Sequence, residues 1–154
     1  MLELRTESEI DAPVERVWQV LMDFDSYPRW NPFIRSIRGT PEVGSRLEVE
    51  IGAPGTRPMR FRPTVRVAVR NREFRWLGRL VILGLFDGEH IFELTPLGSQ
   101  STRFVQRERF RGLFLPFLAR RLEMDVRRGF EEMNRALRGR ASRPSEDSAP
   151  TGKA

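Results

Sequence analysis

The stretch LPFLARRLEMDVRRGFEEMNRAL, residues Leu115 to Leu137, decides how the rest of the chain has to fold. Leu118, Leu122, Val126, Phe130, Met133 and Leu137 recur at steps of three and four, which sets them along one stripe of an α-helix. Arg120, Arg121, Arg127, Arg128, Glu131 and Arg135 fill the other side. Pro116 suits a first helical turn, where its missing N–H costs nothing, and Gly139 suits the end. A helix with so apolar a stripe must bury it against something. Almost everything upstream reads as strand, so a curved sheet is the simplest partner.

Working outward, Leu2 to Ile10 alternates, with Leu2, Leu4, Thr6, Ser8 and Ile10 on one face and charged residues on the other. Asp11-Ala12-Pro13 opens a helix whose apolar face is Val14, Val17, Trp18 and Leu21, and Asp23 or Asp25 can cap a further short turn. Tyr27-Pro28-Arg29-Trp30-Asn31-Pro32-Phe33 reads as a rigid, proline-rich loop. Ile34 to Arg38 is a short strand, and Arg46 to Ile51 alternates with Leu47, Val49 and Ile51 inward. Gly52 to Pro58 is a loop. Phe61, Pro63, Val65, Val67 and Val69 form the next inward set, followed by Phe74, Trp76 and Leu80. A hairpin then joins His90, Phe92 and Leu94 to Thr102, Phe104, Gln106, Glu108 and Phe110 across a turn at Pro96 to Ser99. The order predicts an α+β fold: a curved antiparallel sheet of about six or seven strands around the C-terminal helix, with two short helices after the first strand. One domain is expected over residues 1–140, with 141–154 a polar, disordered tail.

The chain has 154 residues, 39% apolar and 31% charged, with a net charge of +6. Glu3, Arg5 and Glu7 rule out a signal pattern at the start, and the longest apolar run, Leu80 to Phe86, is far shorter than a membrane span. The absence of cysteine removes disulfides, thiolate nucleophiles and cysteine-bound metals, and a cytoplasmic location is expected. One histidine supplies no first-row metal site, and Gly52, Gly55, Gly84 and Gly88 lack the spacing of a phosphate loop, so no metal or cofactor is expected. The basic charge invites a nucleic-acid reading, but the arginines are spread along the chain rather than grouped.

The strings Ile10-Asp11-Ala12-Pro13-Val14-Glu15-Arg16-Val17-Trp18 and Tyr27 to Phe33, with Glu89 to Leu94 and Thr102 to Gly112, resemble the START/Bet v 1-like (SRPBCC) superfamily. They are most similar to its branch of polyketide cyclase/dehydrase and lipid-transport proteins. The resemblance covers Leu2 to about Gly139. It implies a helix-grip fold with an apolar cavity between sheet and long helix, and it assigns no reaction by itself.

Given that resemblance, the expected cavity is lined by Trp30, Phe61, Trp76, Phe92, Phe104 and Phe110, facing Leu122, Val126, Phe130 and Met133 on the helix. Alternatively the inward aromatics fill an ordinary core. Gly129 either leaves space for a ligand or relieves packing against the sheet. Three polar residues share the apolar face: His90, Gln106 and Glu108. Strand parity requires facing positions with an even sum, so His90 lies opposite Glu108, Gln106 or Phe110. A buried Glu108 needs a partner, and a protonated or hydrogen-bonding His90 supplies it. The pair either anchors the wall or orients a ligand and moves a proton.

Three functions follow from different features. The leading one is binding of a small hydrophobic molecule, lipid-like, aromatic or polyketide-like, in the cavity. The second is a cyclase- or dehydratase-type enzyme with His90 and Glu108 as candidate acid and base. The third, nucleic-acid binding through Arg66, Arg70, Arg75, Arg79, Arg103, Arg107 and Arg109 on the convex face, is disfavoured because the stacking aromatics lie on the opposite face.

Overall fold

The computed structural model describes residues 1–79, 87–113 and 115–144, apart from the side chain of Leu118. Leu80, the run to Phe86 and the tail from Ser145 onward lie outside the described residues. The N-terminal strand β1 (Leu2–Ile10) leads into helix α1 (Val14–Met22), a single 3-10 turn (Phe24–Ser26) and the four-residue helix α2 (Tyr27–Trp30). Strands β2 (Ile34–Arg38), β3 (Glu48–Ile51), β4 (Met59–Phe61), β5 (Thr64–Val69), β6 (Glu73–Arg79), β7 (Asp87–Gly98) and β8 (Ser101–Arg111) follow, and α3 (Leu115–Ala141) ends the domain. The fold is α+β and of the helix-grip type, with the long helix held by a bent antiparallel sheet.

The sheet departs from the expected single layer. Strands β1-β8-β7-β6-β5 form one sheet and β2-β3-β4 a second. The expected continuous strand from Phe61 to Val69 breaks at Arg62-Pro63, because a proline has no N–H to give a ladder. An isolated bridge between Arg46 and Thr64 carries the backbone across the seam. A bulge between Val65 and Val67 then shifts the alternation, so Ala68 pairs with the inward Phe74 while Val67 and Val69 face Arg75 and Glu73. The expectation that Val67 and Val69 point inward therefore fails at that bulge, and Val69 is exposed.

Two further differences lie near the N-terminus. The proline-rich segment forms α2 rather than a loop, since Pro28 falls in its first turn, where no N–H is needed. In α1 the buried set is Val14, Val17, Val20 and Leu21, with Trp18 only partly covered. The hairpin β7–β8 pairs residues whose positions sum to 198, so His90 faces Glu108, Phe92 faces Gln106 and Leu94 faces Phe104. Its turn is tighter than expected, at Ser99-Gln100, with a bulge between Pro96 and Gly98.

The C-terminal half of α3 is the keystone of the core. Phe130, Met133, Leu137 and Ala141 are buried with residues of α1, β2 and the sheet. Asn134 donates to the Thr6 hydroxyl of β1 across 3.1 Å. Gly129 resolves to packing: a Cβ there would lie 2.2 Å from Cδ2 of Phe33, whose ring contacts Phe130 edge-on at 5.6 Å.

Tyr27, the single tyrosine of the chain, is buried and donates its hydroxyl to the Leu21 carbonyl at 2.7 Å. That carbonyl belongs to the last turn of α1, which has no further helical N–H to accept from. Burial, and secondarily the charge of Asp23, push the phenol far above its ordinary pKa. The folded state thus keeps a proton that the unfolded state loses above about pH 10, so stability falls as pH rises through that range. Phenolate absorbance should appear only with unfolding, in one cooperative step. Tyr27→Phe should cost about 1–3 kcal/mol at neutral pH, by leaving the carbonyl unpaired, and should flatten the alkaline loss of stability. Phenolate formation in the folded protein near pH 10 would contradict this placement.

Candidate functional site

Strands β6, β7 and β8 present a wall to α3 because every second residue of each strand points to the same side. Trp76, His90, Phe92, Phe104 and Gln106 occupy it, and all are buried. The His90 ring stacks on Trp76, with centroids 4.7 Å apart and planes 14° from parallel. It meets Phe92 edge-on at 4.7 Å and Phe130 of α3 at 5.4 Å. Phe130 and Met133 therefore press directly on the wall, and the space at that level is filled by rings. The expected open cavity does not lie there.

The three polar residues singled out in the sequence come together. His90 Nδ1 is hydrogen-bonded to the Glu108 carboxylate, and Gln106 Nε2 lies 3.2 Å from His90 Nε2. Gln106 Nε2 also points at the Met133 sulfur, 3.4 Å away. These neighbours assign the tautomer. The Glu108 carboxylate accepts a hydrogen bond from Nδ1–H, and Nε2 accepts one from the Gln106 amide, whose second N–H meets the weak sulfur acceptor. Gln106 Oε1 is buried and has no hydrogen-bond partner among the described residues.

Exposure divides the pair. The His90 side chain is 1% accessible and that of Glu108 12%. Glu108 lies opposite Leu4 in the β1–β8 pairing, and Leu4 clusters with Phe110 and Leu115, against which the only partly buried Leu122 and Val126 of α3 pack. Leu113, Phe117 and Met124 are 73%, 86% and 61% exposed, and at about 100° per residue Phe117 and Met124 fall on the side of α3 turned away from Leu122 and Val126. Trp30 and Phe61, the other expected lining residues, are partly buried against the main core.

Two glycines in strand interiors complete the arrangement and were not among the expected site residues. Gly78 and Gly88 face each other across β6 and β7. A Cβ on Gly88 would sit 2.8 Å from Glu108 Oε1, and one on Gly78 3.0 Å from the Phe61 ring. The missing side chains admit the carboxylate and the ring. A glycine inside an alternating strand was the available signal.

The opposite face of the sheet is an ion-pair ladder. Arg75 pairs with Glu73 and Glu89, Arg103 with Glu7, Arg107 with Glu93 and Glu3, and Arg109 with Glu3 and Glu89. The Arg109 guanidinium holds the Glu3 carboxyl below its ordinary pKa, mainly through their 2.7 Å hydrogen bond. Four of the arginines expected to form a free basic face are thus already neutralised. Arg66 and Arg79 instead line a cavity at the seam between the sheets.

Residues 1–138 match the sequence family described as polyketide cyclase/dehydrase and lipid transport. The chain belongs to that family. Its fold is shared by a START superfamily protein from Mycobacterium smegmatis, at 22% identity and a TM-score of 0.73, over 90% of this chain and 96% of the other. It is also shared by the Zhui aromatase/cyclase of a Streptomyces species, at 18% identity and a TM-score of 0.73, covering 91% and 93% of the two chains. A Thermus thermophilus protein is similar at 21% identity and a TM-score of 0.71, covering 91% and 97%. No curated protein matches the sequence. Among the described residues of this family member, no helix is long and apolar enough to cross a membrane.

The coupling of His90 to Glu108 gives a stability test. Removing His90 alone leaves a nearly buried carboxylate unpaired as well as a void beside Trp76. His90→Ala should therefore cost several kcal/mol, on the order of 3–5. The double variant His90→Phe/Glu108→Leu removes both polar partners at similar volume and should recover most of that loss in denaturant melts. A double variant no more stable than His90→Ala would contradict the claim that the stranded carboxylate and the void account for the loss.

Proposed function

We propose that this family member binds a small hydrophobic molecule between the N-terminal half of α3 and the β1–β8–β7 wall. One observation carries the reading. The Glu108 carboxylate, fixed by His90 on the apolar wall, is still partly accessible, whereas His90 and Gln106 are closed off. Leu122 and Val126 supply partly covered apolar surface, packed in the same cluster as Leu4, the residue opposite Glu108 on β1. Affinity then comes from apolar burial, roughly 25 cal/mol per Å² removed from water, and orientation from one hydrogen bond to Glu108. A lipid-like, aromatic or polyketide-like molecule carrying a hydroxyl or enol fits that chemistry. Membership of a polyketide cyclase/dehydrase and lipid-transport family supports the same class of ligand.

A second reading, a cyclase- or dehydratase-type reaction, draws on the His90–Glu108 hydrogen bond. Of the two groups only Glu108 reaches accessible space, so Glu108 is the proton acceptor in that scheme. His90, closed in by Trp76, Phe92, Phe130 and Gln106, is a positioning residue. This reverses the weight that the sequence placed on the histidine.

Titration with the uncharged fluorophore N-phenyl-1-naphthylamine, alongside native mass spectrometry of the purified protein, tests the binding site. Binding should be lost in Leu122→Trp, which fills the space, and weakened less than about tenfold in Glu108→Gln. Fluorophore binding unaffected by Leu122→Trp would place the ligand elsewhere. With a poly-β-ketone substrate, a fall in turnover of about 100-fold or more in Glu108→Gln, at unchanged fluorophore affinity, would favour the enzyme.

A further inference from the structure

A second cavity, of about 760 Å³, opens where the two sheets meet around Pro63. Its charged lining comes from the phase of β3 and β4 opposite to Val49 and Phe61, which belong to the core, so it lies on the side turned away from α3. Six arginines line it against two glutamates. Glu50 is held by Arg60 at 2.7 Å and Glu48 by Arg62 at 2.9 Å. Arg38, Arg46, Arg66 and Arg79 have no carboxylate partner among the described residues. This sets them apart from Arg75, Arg103, Arg107 and Arg109 of the neighbouring convex face, which are paired.

Four unpaired guanidinium groups around one concavity repel each other and raise the local potential. Guanidinium forks match the geometry of phosphate oxygens and bind them bidentately. The hydroxyls of Ser36 and Thr64 add donors, and Leu77 adds apolar surface beside them. The volume is that of a small-molecule site, and its concave shape suits neither a flat bilayer nor a duplex. We propose that this seam cavity binds a small soluble anion carrying two or more phosphate groups. Arg38, Arg46, Arg66 and Arg79 hold the phosphates, and Glu48 and Glu50 keep Arg60 and Arg62 extended at the rim. The site is separate from the one at Glu108 and shares none of its polar groups.

Calorimetry at low salt with inorganic pyrophosphate, and separately with adenosine diphosphate, tests this. Both probes should bind with Kd below about 1 mM, more weakly as salt rises. The double variant Arg46→Gln/Arg66→Gln should weaken binding at least about tenfold, with its melting temperature near that of the parent. Glu50→Gln, which frees Arg60, should tighten it. Arg70→Gln, an exposed arginine outside the cavity, should leave it unchanged. The proposal is overturned if neither probe binds, if Arg70→Gln weakens binding as much as the cavity variants, or if only RNA or phosphatidylglycerol vesicles are bound.

Discussion

A carboxylate set into an apolar wall is costly unless it is paired and hydrogen-bonded, and in this chain the pairing of Glu108 with His90 dictates much of what surrounds it. The pair requires a β7–β8 register in which positions 90 and 108 face each other, and it requires Gly88 to be bare. It fixes the imidazole so that Trp76 stacks on one side and Phe130 of α3 closes another. It also engages Gln106, whose amide in turn reaches Met133. Sheet and helix thus meet through a polar relay inside an otherwise apolar junction.

That junction divides α3 into two halves with different work. From Gly129 onward the helix is core, locked against Phe33 and the wall. Before it the apolar stripe is only half-covered, and the partly accessible Glu108 sits opposite Leu4, a member of the cluster that packs on that half. A site at the boundary inherits rigidity from the packed side and access from the other, which is what a preorganised pocket needs. The ion-pair ladder on the other face neutralises Arg75, Arg103, Arg107 and Arg109, so the unpaired arginines at the seam stand out against it.

The long helix, the first strand and the final hairpin were legible because each shows a clean period over many residues. Strand parity narrowed the partner of His90 to three residues, and only the geometry of the turn, with its bulge after Pro96, chooses among them. Two interruptions were not legible. The bulge after Val65 reverses which valines point inward, and Pro63 splits a strand into two sheets, both of which follow from backbone hydrogen bonding rather than from side-chain alternation. The role of Gly129 stayed open between packing and access because nothing local places Phe33 against it. The seam cavity was invisible for a related reason: Arg38, Arg46, Arg66 and Arg79 come from separate strands that only the bend brings together.

The single histidine makes the central claim directly measurable. Nitrogen-15 NMR of the imidazole reports which ring nitrogen carries the proton. The relay requires a proton on Nδ1, shared with Glu108 and slow to exchange, and an unprotonated Nε2 that accepts from Gln106. In Glu108→Gln the Nδ1 proton should remain but lose its strong downfield shift. A proton on Nε2, or a ring averaging between tautomers in rapid exchange with solvent, would contradict the account.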